Sequence, residues 1–450
     1  MEFPHFVVAL LMLVVFWLVP NILDPVKWQD PFALPKLAVN NDLIAIQHME
    51  EGIITSPESM AMDKSNGLVY TSLADGTVVA LDANGNIIKQ VFFTYAAVNK
   101  NLEENEVSSK LNYCKQQAAA GNIQWNVHQE RACGRPLGLR IKSIRHQKLL
   151  FILDAYHGLF TVDITHHTDI GETIHLLTPS QQVYPSDDKN ATVDDVVYLP
   201  PKFYNDLDVT SDGTVYFTDS SYKNTRSENR REVLDAAPRG RLFTFKPDKF
   251  KGDNKLRVLL CGLHFPNGVQ LLSKSYFTSD NTVLVAEAAR FRILQVDVSS
   301  SSRLHRSNDH LQSCREDGSL RQLLGAKAAP VSVFIDELPG FLDNIRVDNT
   351  NPDRYFVGIG APSIQPFSLL HWAYQRILIR QVVGKLVPMK LVEHLVPKYG
   401  LFVEFNKNGE VVRIPQDPTG RTPLISEVQR HPVTKQLWFG SHSNRYIGIL

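Results

Sequence analysis

Short stretches in which apolar and polar residues alternate recur along this chain, and turn signals separate them. In the stretch that begins at Asn205, Leu207 and Val209 alternate with polar residues. After Asp212-Gly213 the alternation resumes from Val215 to Phe217. Alternation on both sides of an Asp-Gly turn predicts an antiparallel hairpin with one buried face. Two oxygen-bearing residues stand where its first strand begins, and the same plan returns elsewhere.

The plan of a small polar group, an apolar strand, a turn and a second strand occurs six times. The repeats begin near residues 56, 134, 205, 265, 339 and 424. Regularly repeated sheets of about four strands are typical of a β-propeller. Such a ring must close, because open first and last sheets would expose edge strands. The chain stops on a strand, Tyr446 to Leu450, so we predict that a strand near Leu43 to Met49 completes the last blade. The predicted fold class is all-β, a six-bladed β-propeller over residues 43–450.

The first residues have a different character. Phe6 to Val19 is unbroken apolar sequence, and a bilayer span takes about 20 residues, so residues Phe3 to Leu23 would all have to contribute. No small-x-small cleavage site follows, which favours an uncleaved signal-anchor at residues 1–23 over a cleaved signal peptide. The Pro-rich residues 24–42 are predicted to be an extended linker. In both readings the body of the chain enters the secretory lumen, and Asn190-Ala-Thr is a glycosylation acceptor that fits that side.

Composition narrows the classes of function. The chain is 43% hydrophobic and 21% charged, as in a globular protein. Its formal net charge is zero and it has no basic block, which argues against nucleic acid as a partner. The sequence contains no Gly-rich phosphate loop, no Gly-x-Ser-x-Gly elbow and no His-Glu-x-x-His motif.

Two insertions interrupt the repeats. Glu103 to Cys133 is polar and helical in character. Ser363 to Lys390 is predicted to be an amphipathic helix with Arg376 and Arg380 on one face. Its apolar face comprises Leu369, Leu370, Ala373, Ile377 and Val383. This helix either packs onto the rim of the propeller or acts at a membrane surface or as a lid.

Four cysteines are present in the chain. In an oxidising lumen an even number of cysteines indicates pairing. Cys114 and Cys133 bracket much of the first insertion, and we predict that they form a disulfide. Cys261 ends an apolar strand, where a buried thiol would serve equally well.

Four polar residues occupy the same place at the start of four different repeats: Glu58, Asn205, Asn267 and Asp343. In a propeller the innermost strands begin near the central channel, so these side chains are expected to converge there. Two carboxylates and two amide carbonyls form an all-oxygen set that suits Ca²⁺. Each residue alone is a common turn residue, and their recurrence in phase is what indicates a shared site.

Neighbouring residues extend the candidate site. Asp206 and Asn344 stand directly beside two predicted ligands and can serve as ligands or support them from behind. His157 lies near the edge of a repeat and is a candidate base, although a lone histidine is more often structural.

The chain resembles the strictosidine-synthase-like family of six-bladed propellers. The motifs that carry the resemblance are Cys133-Gly-Arg-Pro-Leu-Gly-Leu139, Asn205-Asp-Leu-Asp-Val209, Phe265-Pro-Asn-Gly-Val269, Pro339-Gly-Phe-Leu-Asp-Asn-Ile345 and Gly440-Ser-His-Ser-Asn-Arg-Tyr-Ile-Gly-Ile-Leu450. The resemblance implies a single-pass, glycosylated membrane protein of the endoplasmic reticulum or plasma membrane with a luminal or extracellular propeller. The wider superfamily, which includes paraoxonases and gluconolactonases, is similar in placing Ca²⁺ in the channel, and its ligand motifs fall on the same four residues.

Two departures from these families limit the chemistry that the resemblance implies. Paraoxonases have a histidine where this chain has Leu137, which argues against a histidine-dyad lactonase. Strictosidine synthase uses a glutamate in its last blade, and the nearest acid here, Glu427, is out of register. We therefore expect a membrane-tethered, calcium-binding hydrolase of small-molecule esters, arylesterase-like, in which Asp343 or a water it orients attacks. The alternatives are a non-catalytic propeller that binds a protein partner and, less in keeping with the residues, a strictosidine-type condensation.

Overall fold

The computed structural model describes residues 21–27, 33–121, 126–166, 169–181, 183–185, 200–272, 282–298 and 331–450. The apolar run from Phe6 to Val19 and the acceptor Asn190 lie outside the described residues, so the signal-anchor and the glycosylation stay predictions. In the described ranges no helix is both long enough and apolar enough to cross a bilayer.

Six antiparallel sheets follow one another along the chain, after a first short strand β1 (Gln47–Met49). The first sheet contains β2 (Met60–Met62), β3 (Val69–Ser72), β4 (Thr77–Leu81) and β5 (Ile87–Phe93). The second contains β6 (Pro136–Ile144), β7 (Gln147–Asp154), β8 (Gly158–Asp163) and β9 (Thr173–Leu177). The third contains β11 (Tyr204–Val209), β12 (Val215–Asp219), β13 (Gly240–Phe245) and β14 (Leu256–Leu263), with β10 (Val183–Pro185) added in parallel at its edge.

The remaining three sheets repeat the same order of strands. The fourth contains β15 (Pro266–Leu271), β16 (Thr282–Glu287), β17 (Arg292–Asp297) and β18 (Val331–Ile335). The fifth contains β19 (Gly340–Asp348), β20 (Asn351–Pro362), β21 (Gly400–Asn406) and β22 (Val411–Arg413), and β23 (Gln416–Asp417) also pairs with β21. The sixth contains β24 (Glu427–Arg430), β25 (Leu437–Gly440) and β26 (Ile447–Ile449).

The first strands of the sheets contact one another in sequence around a ring: β2 with β6, then β11, β15, β19 and β24. The ring closes because the Met60 amide donates to the Glu427 carboxylate at 2.8 Å, and the Gln429 amide donates to the Met60 carbonyl at 2.6 Å. This is the arrangement of strands in a six-bladed β-propeller.

The N-terminal strand β1 completes the sixth blade, as predicted. It pairs antiparallel with β26, with Gln47 opposite Ile449 and Met49 opposite Ile447. The strand is shorter than the predicted stretch, because Leu43 and Ile46 instead turn inward and are buried in the hydrophobic core beneath the last blade. Pairing β1 with β26 gives the sixth blade its fourth strand and joins this blade to the segment that leads into the first blade.

Helices occur mainly in the two insertions. Helix α1 (Thr94–Val98) directly follows β5, the first insertion forms α2 (Glu104–Ala119) and α3 (Val127–Cys133), and α4 (Asn229–Asp235) follows β12. The second forms α5 (Leu369–Tyr374), α6 (Ile377–Leu386) and α7 (Met389–Val392). Single 3₁₀ turns occupy Arg226–Glu228, Asp248–Phe250, Ala288–Arg290 and Glu393–Leu395.

The predicted disulfide between Cys114 and Cys133 is present and joins α2 to the end of α3, with 5.8 Å between the two Cα atoms. Both cysteines are fully buried with Phe93 and Ala118 in a small hydrophobic cluster of their own. Cys261 is buried in β14 and is also disulfide-bonded, so it is not the simple buried thiol that its sequence position allowed.

The second insertion differs from its prediction in two respects. It contains three short helices instead of one, with Ser368 capping α5 through the His371 amide and Pro388 preceding α7. Arg380 is also fully buried, where helical periodicity had placed it on a solvent face. Its guanidinium donates to the carbonyls of Leu234 and Asp235 at 2.8 and 3.0 Å, at the C-terminus of α4. Those carbonyls have no partner within their own helix, so they offset the cost of burying the charge.

Candidate functional site

Near the start of the inner strand of every blade, two consecutive residues form a pair, and the second member is the residue that directly follows the first. The first members of the six pairs are Glu58, Leu137, Asn205, Asn267, Asp343 and Ser426. In β6, β11, β15 and β19 the strand register shifts at this pair, which is the mark of a β-bulge. In a regular strand, successive side chains point to opposite faces of the sheet, and a bulge changes this direction locally. The bulge therefore gives the two members of each pair different surroundings, one above the other in the channel.

We call the six first members the upper ring, and four of them line one cavity of about 180 Å³. Glu58, Asn205, Asn267 and Asp343 all line it, so the structure brings the four predicted ligands together. The side chains of Asn267 and Ser426 hydrogen-bond to the Asp343 carboxylate, which links three adjacent blades. Gly268 allows this approach, because a Cβ there would lie 2.4 Å from the Ile345 nitrogen.

Three oxygens of the upper ring are buried and have no hydrogen-bond partner among the described residues: Asn205 Oδ1, Asn267 Oδ1 and Asp343 Oδ1. Leaving a buried acceptor unpaired costs about 1–3 kcal/mol, so three on one cavity wall call for an explanation. A hard cation would satisfy all of them, and carboxylate and amide oxygens are the ligands that Ca²⁺ prefers. No described cluster combines three or more His, Cys, Asp or Glu side chains at metal-binding distance, which fits a ring in which two of four oxygens come from amides.

Burial controls the charge of the two carboxylates. It raises the pKa of Asp343 to about 7, against the hydrogen bonds from Ser426 and Asn267, and the nearby Asp206 and Glu427 carboxylates raise it further. Burial also raises the pKa of Glu58, while Arg135 opposes the rise from 3.0 Å. A divalent cation between them would favour the ionised form of both groups.

The cavity also contains a histidine that the sequence had not assigned to the site. His442 lines the cavity, with its Nδ1 at 3.1 Å from Ser426 Oγ and 3.7 Å from Asp343 Oδ2. His157, the predicted base, does not line it: its Nε2 lies 2.7 Å from the Arg131 carbonyl. That position corrects the prediction, since the ring of His157 is used to fix α3. The sequence did contain a signal for His442, because the segment Gly440-Ser-His442 begins at the last residue of β25, the strand that pairs with β24.

The second members of the pairs form a lower ring, and Arg346 lies at its centre. Asp206 accepts from Arg346 Nη1 at 2.7 Å and Nη2 at 3.0 Å, and from the Val269 amide at 2.8 Å. Glu427 also forms a salt bridge with Arg346 and accepts from Ser59 Oγ at 3.0 Å. Neither carboxylate lines the cavity. Asp206 therefore supports the ring from below, and Glu427 is not available for a strictosidine-type condensation.

Asn344, the other residue that stands beside a predicted ligand, contributes to the structure through its backbone. Its amide donates to the Ser426 carbonyl at 3.0 Å, which ties blade five to blade six. Its side-chain Oδ1 is buried without a partner, and the residue does not line the cavity.

The wall around the oxygen ring is mainly apolar. Phe203, Phe265 and Phe341 stack edge to face around it, with ring centroids 5.6 and 5.0 Å apart. The second insertion roofs the cavity, and we call residues 363–398 the cap. Its contribution to the wall includes Leu369, Leu370, Trp372, Ala373, Ile379, Val383, Val392, Leu395, Val396 and Pro397.

Solved structures that match this chain have low sequence identity to it. The calcium-binding protein regucalcin from Agrobacterium tumefaciens is 11% identical, with a TM-score of 0.46 over 90% of this chain and 92% of that chain. A gluconolactonase from Xanthomonas campestris is 12% identical, with a TM-score of 0.47 over 96% of this chain and 98% of that chain.

Sequence comparisons identify the family. Residues 205–300 match the strictosidine synthase family, and residues 35–81 match the strictosidine synthase-like N-terminal family. Adipocyte plasma membrane-associated protein is 30% identical in Homo sapiens, over 94% of this chain and 82% of that protein. The Salmo salar protein is 29% identical over 97% and 86%, and strictosidine synthase-like 13 of Arabidopsis thaliana is 26% identical over 88% and 78%. The chain therefore belongs to the strictosidine-synthase-like family, together with the adipocyte plasma membrane-associated proteins.

Proposed function

We propose that this protein is a membrane-tethered, calcium-dependent hydrolase of small-molecule esters. One observation carries the proposal: four oxygen-bearing side chains from four blades line a single cavity, and three of their oxygens are buried and unpaired. The name of its relatives, plasma membrane-associated, supports the tethering, for which residues 1–23 are the predicted anchor.

Glu58, Asn205, Asn267 and Asp343 are the residues that would hold the ion. When bound, Ca²⁺ would polarise the carbonyl oxygen of an ester and stabilise the negative charge that develops on it. The ligands come from blades far apart in sequence, so binding would also tie those blades together.

Asp343 is the candidate for the attacking group. One of its oxygens is unpaired and the other lies 3.7 Å from His442 Nδ1. Asp343 takes a proton from a water that attacks the ester carbonyl, and the acyl–oxygen bond then breaks as the alkoxide takes up a proton, which gives a carboxylic acid and an alcohol. If Asp343 attacks the carbonyl itself, the alcohol leaves first, and a water then hydrolyses the acyl–Asp343 anhydride to release the carboxylic acid and restore the carboxylate. His442 and Ser426 form a short hydrogen-bonded path on which that proton can rest.

The wall residues limit the substrate. Leu137 is buried where a second imidazole would be needed for efficient lactone hydrolysis. Phe203, Phe265 and Phe341 offer an apolar surface to an aryl or alkyl group. We therefore expect slow turnover of activated, hydrophobic esters.

The test compares aryl ester hydrolysis by the full chain in detergent with that of Asp343→Asn. We expect the variant to lose roughly 100-fold or more in kcat while it keeps its fold, because asparagine can neither attack nor accept the proton. Asp353→Asn is the matched control, since Asp353 lies on the surface in an ion pair with Lys407. Chelation should abolish turnover by the native chain, and added Ca²⁺ should restore it.

Asn267→Ala should lower both the rate and the thermal stability, because Asn267 bonds to Asp343 as well as facing the cavity. If the native chain bound Ca²⁺ yet hydrolysed aryl esters no faster than Asp343→Asn, the catalytic proposal would fail. The protein would then be a calcium-stabilised scaffold that binds a partner.

A further inference from the structure

The cap exposes an unusual amount of apolar surface. Eight of the eighteen exposed large hydrophobic side chains in the described part of the chain belong to it. Along α6, Leu378, Val382 and Leu386 recur every fourth residue and are 75%, 39% and 57% exposed. None of these three lines the cavity, so they form a separate outer stripe. A contiguous exposed apolar patch on a folded domain indicates a surface that binds something.

The charge of the cap favours a lipid surface over a protein partner. Residues 363–398 contain five Lys or Arg and one Glu, in a chain whose net charge is zero. Arg380 is buried, whereas Arg376, Lys390 and Lys398 of the same cap are exposed. Helices with apolar and cationic faces bind anionic membrane surfaces, while lysine is depleted at the cores of protein interfaces.

Leu23, at the end of the predicted anchor, and Asp24 and Val26, in the linker, contact the cap and the propeller, and we call these contacts the clasp. This part of the chain is therefore not a free, extended tether. Leu23 packs against Gly384 of α6 so closely that a Cβ on this glycine would lie 2.5 Å from Leu23 Cγ. Arg380 Nη2 donates to the Val26 carbonyl at 2.6 Å, and Arg239 Nη2 donates to the Asp24 carboxylate at 3.0 Å. These contacts fix where the chain arrives at the propeller.

The clasp also sets an upper limit on the distance between the cap and the end of the apolar run. Val19 ends that run, four residues before Leu23. Four fully extended residues span at most about 14 Å. The polar layer on one side of a bilayer is about 5–8 Å thick, and a helix with its side chains is about 10–12 Å wide. A run that enters a bilayer therefore holds α6 at the bilayer surface.

From the clasp, the apolar stripe and the charge we propose that the outer face of the cap docks on the leaflet that faces the propeller, in the membrane that the apolar run ending at Val19 enters, with its Lys and Arg side chains at the lipid phosphates. This docking rests on the proposed anchoring and not on the proposed catalysis. It turns the mouth of the cavity toward the bilayer, because Leu369, Ile379 and Leu395 both line the cavity and reach the surface beside the stripe. Substrates dissolved in the membrane would then enter without crossing water.

The experiment places an NBD fluorophore on the full chain, reconstituted into phosphatidylcholine vesicles with and without phosphatidylserine. Leu378→Cys and Leu386→Cys carry the label on the outer stripe, and no described cysteine has a free thiol that would compete. Val433→Cys is the matched control: Val433 is 61% exposed in the turn between β24 and β25, at the far end of a strand that begins at the cavity. Doxyl-labelled lipid is the quencher.

We expect doxyl lipid to lower the fluorescence of both cap labels about twofold or more, as for groups about 5–10 Å below the surface, and to leave the control unchanged. Lys390→Gln with Lys398→Gln should weaken the quenching only in vesicles that contain phosphatidylserine. The two cap positions are independent, so one variant that fails to fold does not decide the result.

Three outcomes would overturn the docking. Cap labels left unquenched on a chain that resists carbonate extraction would place the cap away from the lipid. Equal quenching of the cap and control labels would show a different orientation. Contact between cap labels of two copies would make the stripe a dimer surface. Loss of the chain from the vesicles on carbonate washing would refute the anchoring itself, whatever the result of the esterase assay.

Discussion

Asp343→Asn should change the stability of the protein in opposite directions with and without calcium. Without the ion, burial raises the pKa of Asp343 to about 7 from its ordinary 3.8. A carboxyl whose pKa is raised by folding stabilises the fold while it is protonated, and this contribution is lost as the pH rises toward 7. At about 1.4 kcal/mol per unit of pKa, ionising Asp343 at pH 8 costs on the order of 4 kcal/mol. Asparagine has the same shape and avoids this cost.

Calcium should reverse the order. An ion at about 10,000 times its dissociation constant stabilises the native chain by about 5.5 kcal/mol, which exceeds the cost of ionising Asp343. This gain already includes the pairing of the ion with the Asp343 carboxylate. The variant keeps one neutral oxygen at this position, so its affinity and its gain should be much smaller. At pH 5 without calcium the difference should shrink to about 1.7 kcal/mol, because the folded Asp343 is then protonated while the unfolded one is still mostly ionised.

Urea unfolding with and without Ca²⁺, at pH 8 and at pH 5, measures these differences through the fluorescence of the buried Trp438. Glu427→Gln is the contrast, because Glu427 is equally buried but lies in the lower ring against Arg346. Removing one partner of a buried ion pair costs about 3–5 kcal/mol, and here calcium should change the loss far less than it changes the effect of Asp343→Asn, because Glu427 is the last of the causes of the raised Asp343 pKa. A calcium-free Asp343→Asn protein that was less stable than the native protein at pH 8 would refute this account of the site. So would an equal gain from calcium in the two.

Two further predictions concern the covalent bridge and the topology. Replacing Cys114 and Cys133 together with alanine should lower the free energy of unfolding by about 3 kcal/mol in urea, because the bridge closes a loop with a sequence separation of 19; an unchanged unfolding midpoint would contradict it. Expressed in a secretory system, the chain should carry a glycan on Asn190, removable by endoglycosidase, and should resist carbonate extraction; a soluble product lacking residues 1 to about 23 would show a cleaved signal peptide instead.

The blades and the upper ring were predictable because their signals are local. A hairpin is encoded by alternation around one turn, and six hairpins in phase leave few folds besides a propeller. Glu58, Asn205, Asn267 and Asp343 stand at equivalent points of this repeat, so the fold itself brings them together. The same logic gave the closing strand β1, which needed only a chain that ends on an unpaired strand.

Residues whose roles depend on distant contacts were not predictable. Arg346 and Asp206 are 140 positions apart, and neither carries a local mark of their pairing. Arg380 fitted the polar face of an amphipathic helix, because periodicity does not reveal that carbonyls of α4 lie on that side. His442 and His157 are alike as isolated histidines, and only the ring of blades separates the one on the cavity from the one on α3.

The pairs at the starts of the inner strands form two layers in the channel. In the lower layer the cation is a side chain of the protein, and in the upper layer the cation would come from solution. In the lower ring, Arg346 lies between Asp206 and Glu427, so the protein supplies its own cation there. In the upper ring Arg135 offsets Glu58, but across the described residues no Arg or Lys forms a salt bridge with Asp343. The lower carboxylates also add to the rise in the Asp343 pKa. The fold thus neutralises the carboxylates of the lower ring with its own arginine. In the upper ring it leaves one buried carboxylate and two amide oxygens, which an ion from solution would neutralise and coordinate.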